Sequence, residues 1–278
     1  KAISGQNGIV TNFDLEENPD ATVLFPKNKQ TVNDEELDKY GIFGRHLEVQ
    51  NAFKGIESIA CTFGFSGVEP NTVLMAWPGE TKDPKWFTSM TKKLEELDFN
   101  ILYLDYDKRW GFRKKQNIDL WWKGMGSDAE LMLMIAKFIS NSPDWSQTQI
   151  RILVVNETNV NHKLIESRIN NLLELFRVRA DIKVINNEVD EKPLYELMKT
   201  YSQDADLAIV GIPEISEDGA GTFVSSTNEL VGTIGTTLLV RASSHFDEAD
   251  LSFEKIQLSE TKPEDIRGEV IPLAFTVE

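Results

Sequence analysis

The sequence is poor in the side chains that carry chemistry. One cysteine and three histidines stand among 278 residues. A single thiol excludes an internal disulfide, and no Cys-x-x-Cys or His-x-x-x-His spacing offers a metal site. His46, His162 and His245 are far apart and read as surface or cap residues. Cys61, beside Ile59, Ala60 and Phe63, reads as a buried core thiol, which suits a cytosolic setting. No Gly-x-Ser-x-Gly elbow, Gly-x-x-x-x-Gly-Lys-Ser/Thr loop or Gly-x-Gly-x-x-Gly after a strand is present. With no nucleophile, ligand set or cofactor fingerprint, the chain is expected not to be an enzyme. No apolar run approaches the roughly 18–20 residues that cross a bilayer, and no charged-then-apolar leader opens the chain. Cations are scarce too: 29 Lys and Arg against 45 Asp and Glu leave a net charge of −16. Nucleic acid is therefore excluded as a partner, since phosphate binding needs a basic face. Residue 1 is Lys, not Met, which leads us to expect a piece of a longer polypeptide.

What is present is a regular alternation of apolar patterns. Residues 8–11 and 21–25 read as short strands, and residues 45–63 as one amphipathic helix ending near Gly64. Residues 72–77 are too short for a helix and too apolar for an exposed strand, so a buried strand is expected. Asp83-Pro84 then opens a helix with Trp86, Phe87, Met90, Leu94 and Leu97 on its buried side. Residues 100–106 form the next strand, completing a parallel βαβ unit. Strands at 118–122, 150–155, 182–185, 207–212 and 237–241 follow. Between them the pattern predicts helices over 128–139, after residue 159, over 193–201 and near 227–234. Such alternation means an α/β fold with a mainly parallel sheet flanked by helices.

Residues 117–127 compress a strand, a glycine turn and a helix start into eleven positions. Open α/β sheets place ligands at such strand ends. Gly124, Gly126 and Ser127, and Gly211 with Gly219 and Gly221, are the nearest approach to an anion-binding turn, although tight turns need glycine for its own sake. Residues 117–155 also echo residues 206–241. This weak internal repeat puts a boundary near residues 143–149, giving an N-terminal subdomain 1–146 and a C-terminal subdomain 147–278. Finally, Lys108, Arg109, Arg113, Lys114 and Lys115, interleaved with Trp110 and Phe112, stand out in an acidic chain. They are candidate contacts for a headgroup, an acidic partner or a nucleotide, or simply a solvated loop.

The run Gly64-Phe-Ser-Gly-Val-Glu-Pro-Asn-Thr-Val-Leu-Met-Ala-Trp77, with Asn117-Ile-Asp-Leu-Trp-Trp122 at a fixed distance, resembles the cytosolic C-terminal domain of cation-chloride cotransporters. The resemblance covers roughly residues 45–185. Gly64 to Gly67 depart from the family's glycine spacing, and Lys123-Gly-Met-Gly-Ser127 replaces its acidic-glycine stretch. Long insertions typical of animal members are absent, pointing to a compact microbial version. The resemblance implies two universal-stress-protein-like α/β subdomains, a homodimer, and a regulatory role beneath a transmembrane domain that moves chloride with sodium or potassium. That places the chain at the cytoplasmic face of a membrane, with the cationic loop against the inner membrane surface or the transport domain. The alternative is a stand-alone tandem universal stress protein that binds nucleotide. Residues 205–211 resemble the third strand of that family, but Gly211 is followed by Ile-Pro-Glu214 and the second phosphate-binding glycine is missing. An equivalent crevice in the first half would be formed by Pro78, Gly79, Asp105, Gly124, Gly126 and Ser127, with ATP as the candidate ligand.

Overall fold

Asn51 decides where the first long helix begins. A computed structural model of the chain describes residue 3 and residues 8–21, 25–26, 32–64, 69–122, 127–157, 160–215 and 219–249. In it, the Asn51 side chain accepts hydrogen bonds from the Phe53 and Lys54 amides. These are two of the donors that a helix start leaves without partners. The residues before it are a strand, not the first turns of the expected helix over 45–63. The amino-terminal elements are β1 (Val10–Glu17), β2 (Phe25–Pro26), α1 (Val32–Lys39), β3 (Ile42–Val49) and α2 (Ala52–Thr62). β1 and β3 pair in parallel from Val10↔Ile42 to Glu17↔Val49, and β2 adds antiparallel to β3. Gly55 lets α2 lie on this small sheet, because a Cβ there would stand 2.7 Å from Val49 Cγ1.

The rest of the described chain builds one seven-stranded sheet. Its elements are β4 (Thr72–Ala76), α3 (Pro84–Glu96), β5 (Asn100–Asp105), β6 (Asn117–Trp122), α4 (Ser127–Ser140), β7 (Gln149–Asn156), α5 (His162–Phe176), β8 (Asp181–Asn186), α6 (Leu194–Tyr201), β9 (Leu207–Gly211), α7 (Ala220–Val231) and β10 (Thr237–Arg241). The strand order is β4-β5-β10-β9-β6-β7-β8. Every neighbouring pair is parallel except β5 with β10. The chain is thus α/β, with a mostly parallel sheet flanked by helices, as its alternation predicts.

Period-two alternation along β6 shows how the two faces are filled. Ile118, Leu120 and Trp122 join the core beneath α4 and α5, whereas Trp121 joins the core beneath α3, α6 and α7. Both tryptophans are almost wholly buried.

Several expectations need correction. The division into 1–146 and 147–278 does not describe this sheet: β6 and β7, on either side of it, pair in parallel from Asn117↔Gln149 to Trp122↔Val154. The two stretches that echo one another, β6-α4-β7 and β9-α7-β10, are neighbouring units of the same sheet. β4 is an edge strand whose alternate residues Thr72, Leu74 and Ala76 are exposed, not a buried one. Cys61 is exposed, since it lies on the outer side of α2. Trp86 is 40% exposed and lies under the Lys54 ammonium. α7 begins at Ala220, before the polar Ser225-Ser226 pair that hid its first turns.

Candidate functional site

Residues 117–241 form a doubly wound unit whose winding reverses between β6 and β9. From β6 the chain proceeds through α4 on one face to β7, and from β9 through α7 on the other face to β10. The carboxyl ends of β6 and β9 therefore flank a switch point, where open α/β sheets bind ligands. Asp128, in the first turn of α4, occupies this position. Its Oδ1 accepts the Ala242 amide at 2.7 Å, and a Cβ placed on Gly211 would stand 3.3 Å from its Oδ2. Ser127 begins α4 here. Gly124 and Gly126, the other expected members of an anion-binding turn, lie outside the described residues.

The remaining members of the expected crevice stand elsewhere. Asp105 pairs with Thr237, the first residue of β10, because β5 runs antiparallel to β10. Pro78 and Gly79 follow β4, which is parallel to β5. Pro78, Gly79 and Asp105 thus lie at the amino ends of β6, β9 and β10, while Ser127 lies beyond the carboxyl end of β6. Six residues of strand separate the two groups by roughly 15–20 Å, so they do not enclose one site. Gly79 has a structural duty instead: the Asn228 side chain accepts from Trp77 Nε1 at 2.7 Å and donates to the Gly79 carbonyl at 3.2 Å. Asp105 is half-buried, and burial followed by the neighbouring Asp107 raises its carboxyl above the usual range.

At this same end lies the cationic loop between β5 and β6. Asp206 holds its base, accepting the amides of Lys114, Gln116 and Asn117 at 3.3, 2.6 and 2.9 Å. Thr236 accepts the Asp107 amide and donates its hydroxyl to the Gly111 carbonyl. Phe112 packs edge-on against Tyr106 and Trp145. Gly111, Arg113 and Lys115 all have left-handed backbone, with φ of 54°, 40° and 58°. A Cβ at Gly111 would also meet the Tyr106 hydroxyl at 2.7 Å.

The five cations differ in what they touch. Arg109 pairs with Asp107, whose carboxyl is held low by hydrogen bonds from the Arg109 side chain and backbone. Lys115 pairs with Asp144 at 2.7 Å, and Arg113 donates to the Gln203 carbonyl at 2.7 Å. Lys108 and Lys114 are exposed and make no ion pair among the described residues. A cleft of about 320 Å³ at the loop base is lined by Arg113, Lys114, Gln116, Asn117, Asp204 and Asp206. Among the described residues no group of three or more His, Cys, Asp or Glu is placed to hold a metal.

The β6 strand carries a second buried polar arrangement, absent from the residues expected to form a site. Asp119 is fully buried, and Arg151 of β7 forks both of its oxygens at 2.7 Å. Ser202 donates to Asp119 Oδ2 at 2.5 Å and accepts from Trp121 Nε1 at 2.9 Å. The Arg151 guanidinium is held firmly charged, chiefly by its hydrogen bonds to Asp119.

A family match falls on the unit that contains this strand. Residues 105–211 match the model of solute carrier family 12. The chain resembles the cytosolic domain of a cation-chloride cotransporter. A solved cytoplasmic domain of a prokaryotic cation chloride cotransporter has the same fold with a TM-score of 0.62 and 15% identity, over 87% of each chain. A universal stress protein from Archaeoglobus fulgidus is similar at a TM-score of 0.51 and 10% identity, over 77% of this chain and 74% of the other. The solute carrier match runs from the end of β5, through the cationic loop and the Asn117-Ile-Asp-Leu-Trp-Trp122 strand, to the end of β9. It therefore takes in both sides of the switch point and the base of the loop. No helix among the described residues is long and apolar enough to cross a membrane.

Proposed function

We propose that this chain is the cytosolic regulatory and dimerisation domain of a membrane cation-chloride cotransporter that moves sodium or potassium with chloride. The observation that carries this reading is the solute carrier family 12 match over residues 105–211, which lies on the doubly wound unit. The shared fold with a prokaryotic cotransporter's cytoplasmic domain is consistent with it. In this role the chain catalyses nothing. It holds two protomers together and biases the transport domain of its own polypeptide through contacts that differ between two states. The decisive experiment is ion uptake by the full-length protein with and without residues 1–278. A loss of regulated chloride uptake on deletion is the expected result. A coding sequence that begins within a few residues of Lys1, with no membrane-spanning helices before it, refutes the reading. For dimerisation, sedimentation equilibrium at tens of micromolar should give twice the 31.5 kDa chain mass.

The competing reading is a nucleotide-binding stress protein. What counts against it is the acid near the switch point: Asp128 stands beside Gly211, Glu214 follows three residues later, and carboxylates repel phosphate. Calorimetric titration with ATP should therefore show no heat, and ATP should leave the melting temperature unchanged.

A further inference from the structure

We propose that the loop from Tyr106 to Lys114 is a membrane-surface anchor that seats on anionic lipid headgroups. That a bilayer lies nearby rests on the function proposed above; that the loop binds one rests on its own chemistry. Tyr106 is 50% and Trp110 62% exposed, among the largest apolar side chains the chain leaves in water. Indole and phenol rings partition to the headgroup layer, where one end is apolar and the other wet. Lys108, Arg109, Arg113 and Lys114 surround them and are exposed as well. Each cation near an anionic surface strengthens association about fivefold.

The loop is built to hold this arrangement. Arg113 and Lys115 are non-glycine residues with left-handed backbone, a conformation a free loop would leave, and they keep it because Asp206, Thr236 and Phe112 fix the base from three sides. Of the acids nearby, Asp107 pairs with Arg109, Asp144 with Lys115, and Asp206 accepts three backbone amides, while Asp105 is half-buried. Asp204, at the cleft, offers its carbonyl to the Asn117 side chain.

Two features favour lipid over a protein partner. Tyr106 and Trp110 do not line the cleft at the loop base, which is formed by charged and amide groups of both signs. Moreover, once the five cations of the loop are set apart, the remainder of the chain carries −21. An anionic surface repels that remainder and attracts the loop, whose Lys108 and Lys114 make no ion pair among the described residues, so charge favours approach by this end.

The test is co-sedimentation of the intact chain with vesicles of phosphatidylcholine, with or without phosphatidylserine, at low salt. The expected result is binding to the anionic vesicles only, weakened by added salt. The pair K108A and K114A should lower partitioning about twenty-five-fold, and W110A should lower it further. Melting temperatures equal to wild type will show that these exposed substitutions leave the fold intact. Wild-type chain that ignores anionic vesicles, or binding indifferent to all three substitutions, overturns the proposal. So does a chain that binds an acidic polypeptide through these residues but no vesicle. Vesicle binding by a chain whose full-length protein transports no ions would leave the anchor standing and remove only the transport reading.

Discussion

The Asp119–Arg151 pair allows a prediction with an asymmetry that ordinary packing arguments would not give. Asp119 is wholly enclosed, whereas the Arg151 side chain keeps 29% of its surface in water. Substituting Arg151 with Met leaves a carboxylate with Ser202 as its remaining side-chain donor and no counter-charge. Breaking a buried pair in this way costs about 3–5 kcal/mol. At about 2–4 °C per kcal/mol for a chain somewhat smaller than this one, the melting temperature should fall by roughly 10 °C. Substituting Asp119 with Leu leaves a guanidinium that reaches solvent, so the cost should be nearer 1–3 kcal/mol. The double variant D119L/R151M replaces the pair by apolar side chains and should recover most of the loss from R151M alone. Urea unfolding followed by tryptophan fluorescence and by circular dichroism measures all four proteins, and unchanged m-values would license the comparison. If R151M costs less than about 1 kcal/mol, or if the double variant shows the plain sum of the single losses, the reasoning is wrong.

Other consequences are simpler to check. Gly55→Ala pushes a methyl into Val49 and should destabilise by about 1–3 kcal/mol in thermal melts, with Val49→Ala in the same chain giving part of it back. Asn228→Ala strands the buried Trp77 Nε1 and should cost about 1–3 kcal/mol by denaturant titration. Asp105 has a folded-state pKa raised above its unfolded value, so its ionisation opposes folding at neutral pH. Asp105→Asn should therefore raise the melting temperature at pH 7, and the gain should vanish as the pH falls through the raised value towards 3.8, where wild-type Asp105 is also neutral. A gain that is constant down to pH 3 would contradict this.

The sequence made the elements legible where burial imposes a period. β5, β6, β7, β9 and β10 all lie within two residues of their expected bounds, because each is an apolar run closed by polar turn residues. β3 was missed for the opposite reason. Most of its residues at 42–49 are only partly covered, so Leu47 and Val49 could be read as the start of the helical pattern that continues through Ala52 and Phe53, and the Asn51 cap was the signal that separates the two. The sheet order was not legible. Nothing local to residues 100–105 and 237–241 announces that they run antiparallel, and that one reversal broke up the expected crevice. The buried ion pair could have been found: Asn117-Ile-Asp119 and Gln149-Ile-Arg151 set opposite charges at the same depth in two apolar strands. A charge inside such a strand requires a partner. Asp206 and Thr236 were beyond reach, since each acts on a loop 90 or more positions away.

The antiparallel seam also bears on how the chain is made. Asp105 of β5 meets Thr237 of β10, 132 positions later. At about 5–20 residues per second, the ribosome supplies β10 roughly 7–26 s after β5 has emerged. During that interval β5 has β4 on one edge and bare backbone on the other. Leu102 and Tyr103, fully covered in the finished molecule, then face water or whatever else is at hand. The doubly wound unit is contiguous over residues 117–241 and holds five parallel strands of its own, whereas β4 and β5 join the sheet only through β10. Truncations from the carboxyl end should accordingly be far more prone to aggregate than truncations from the amino end.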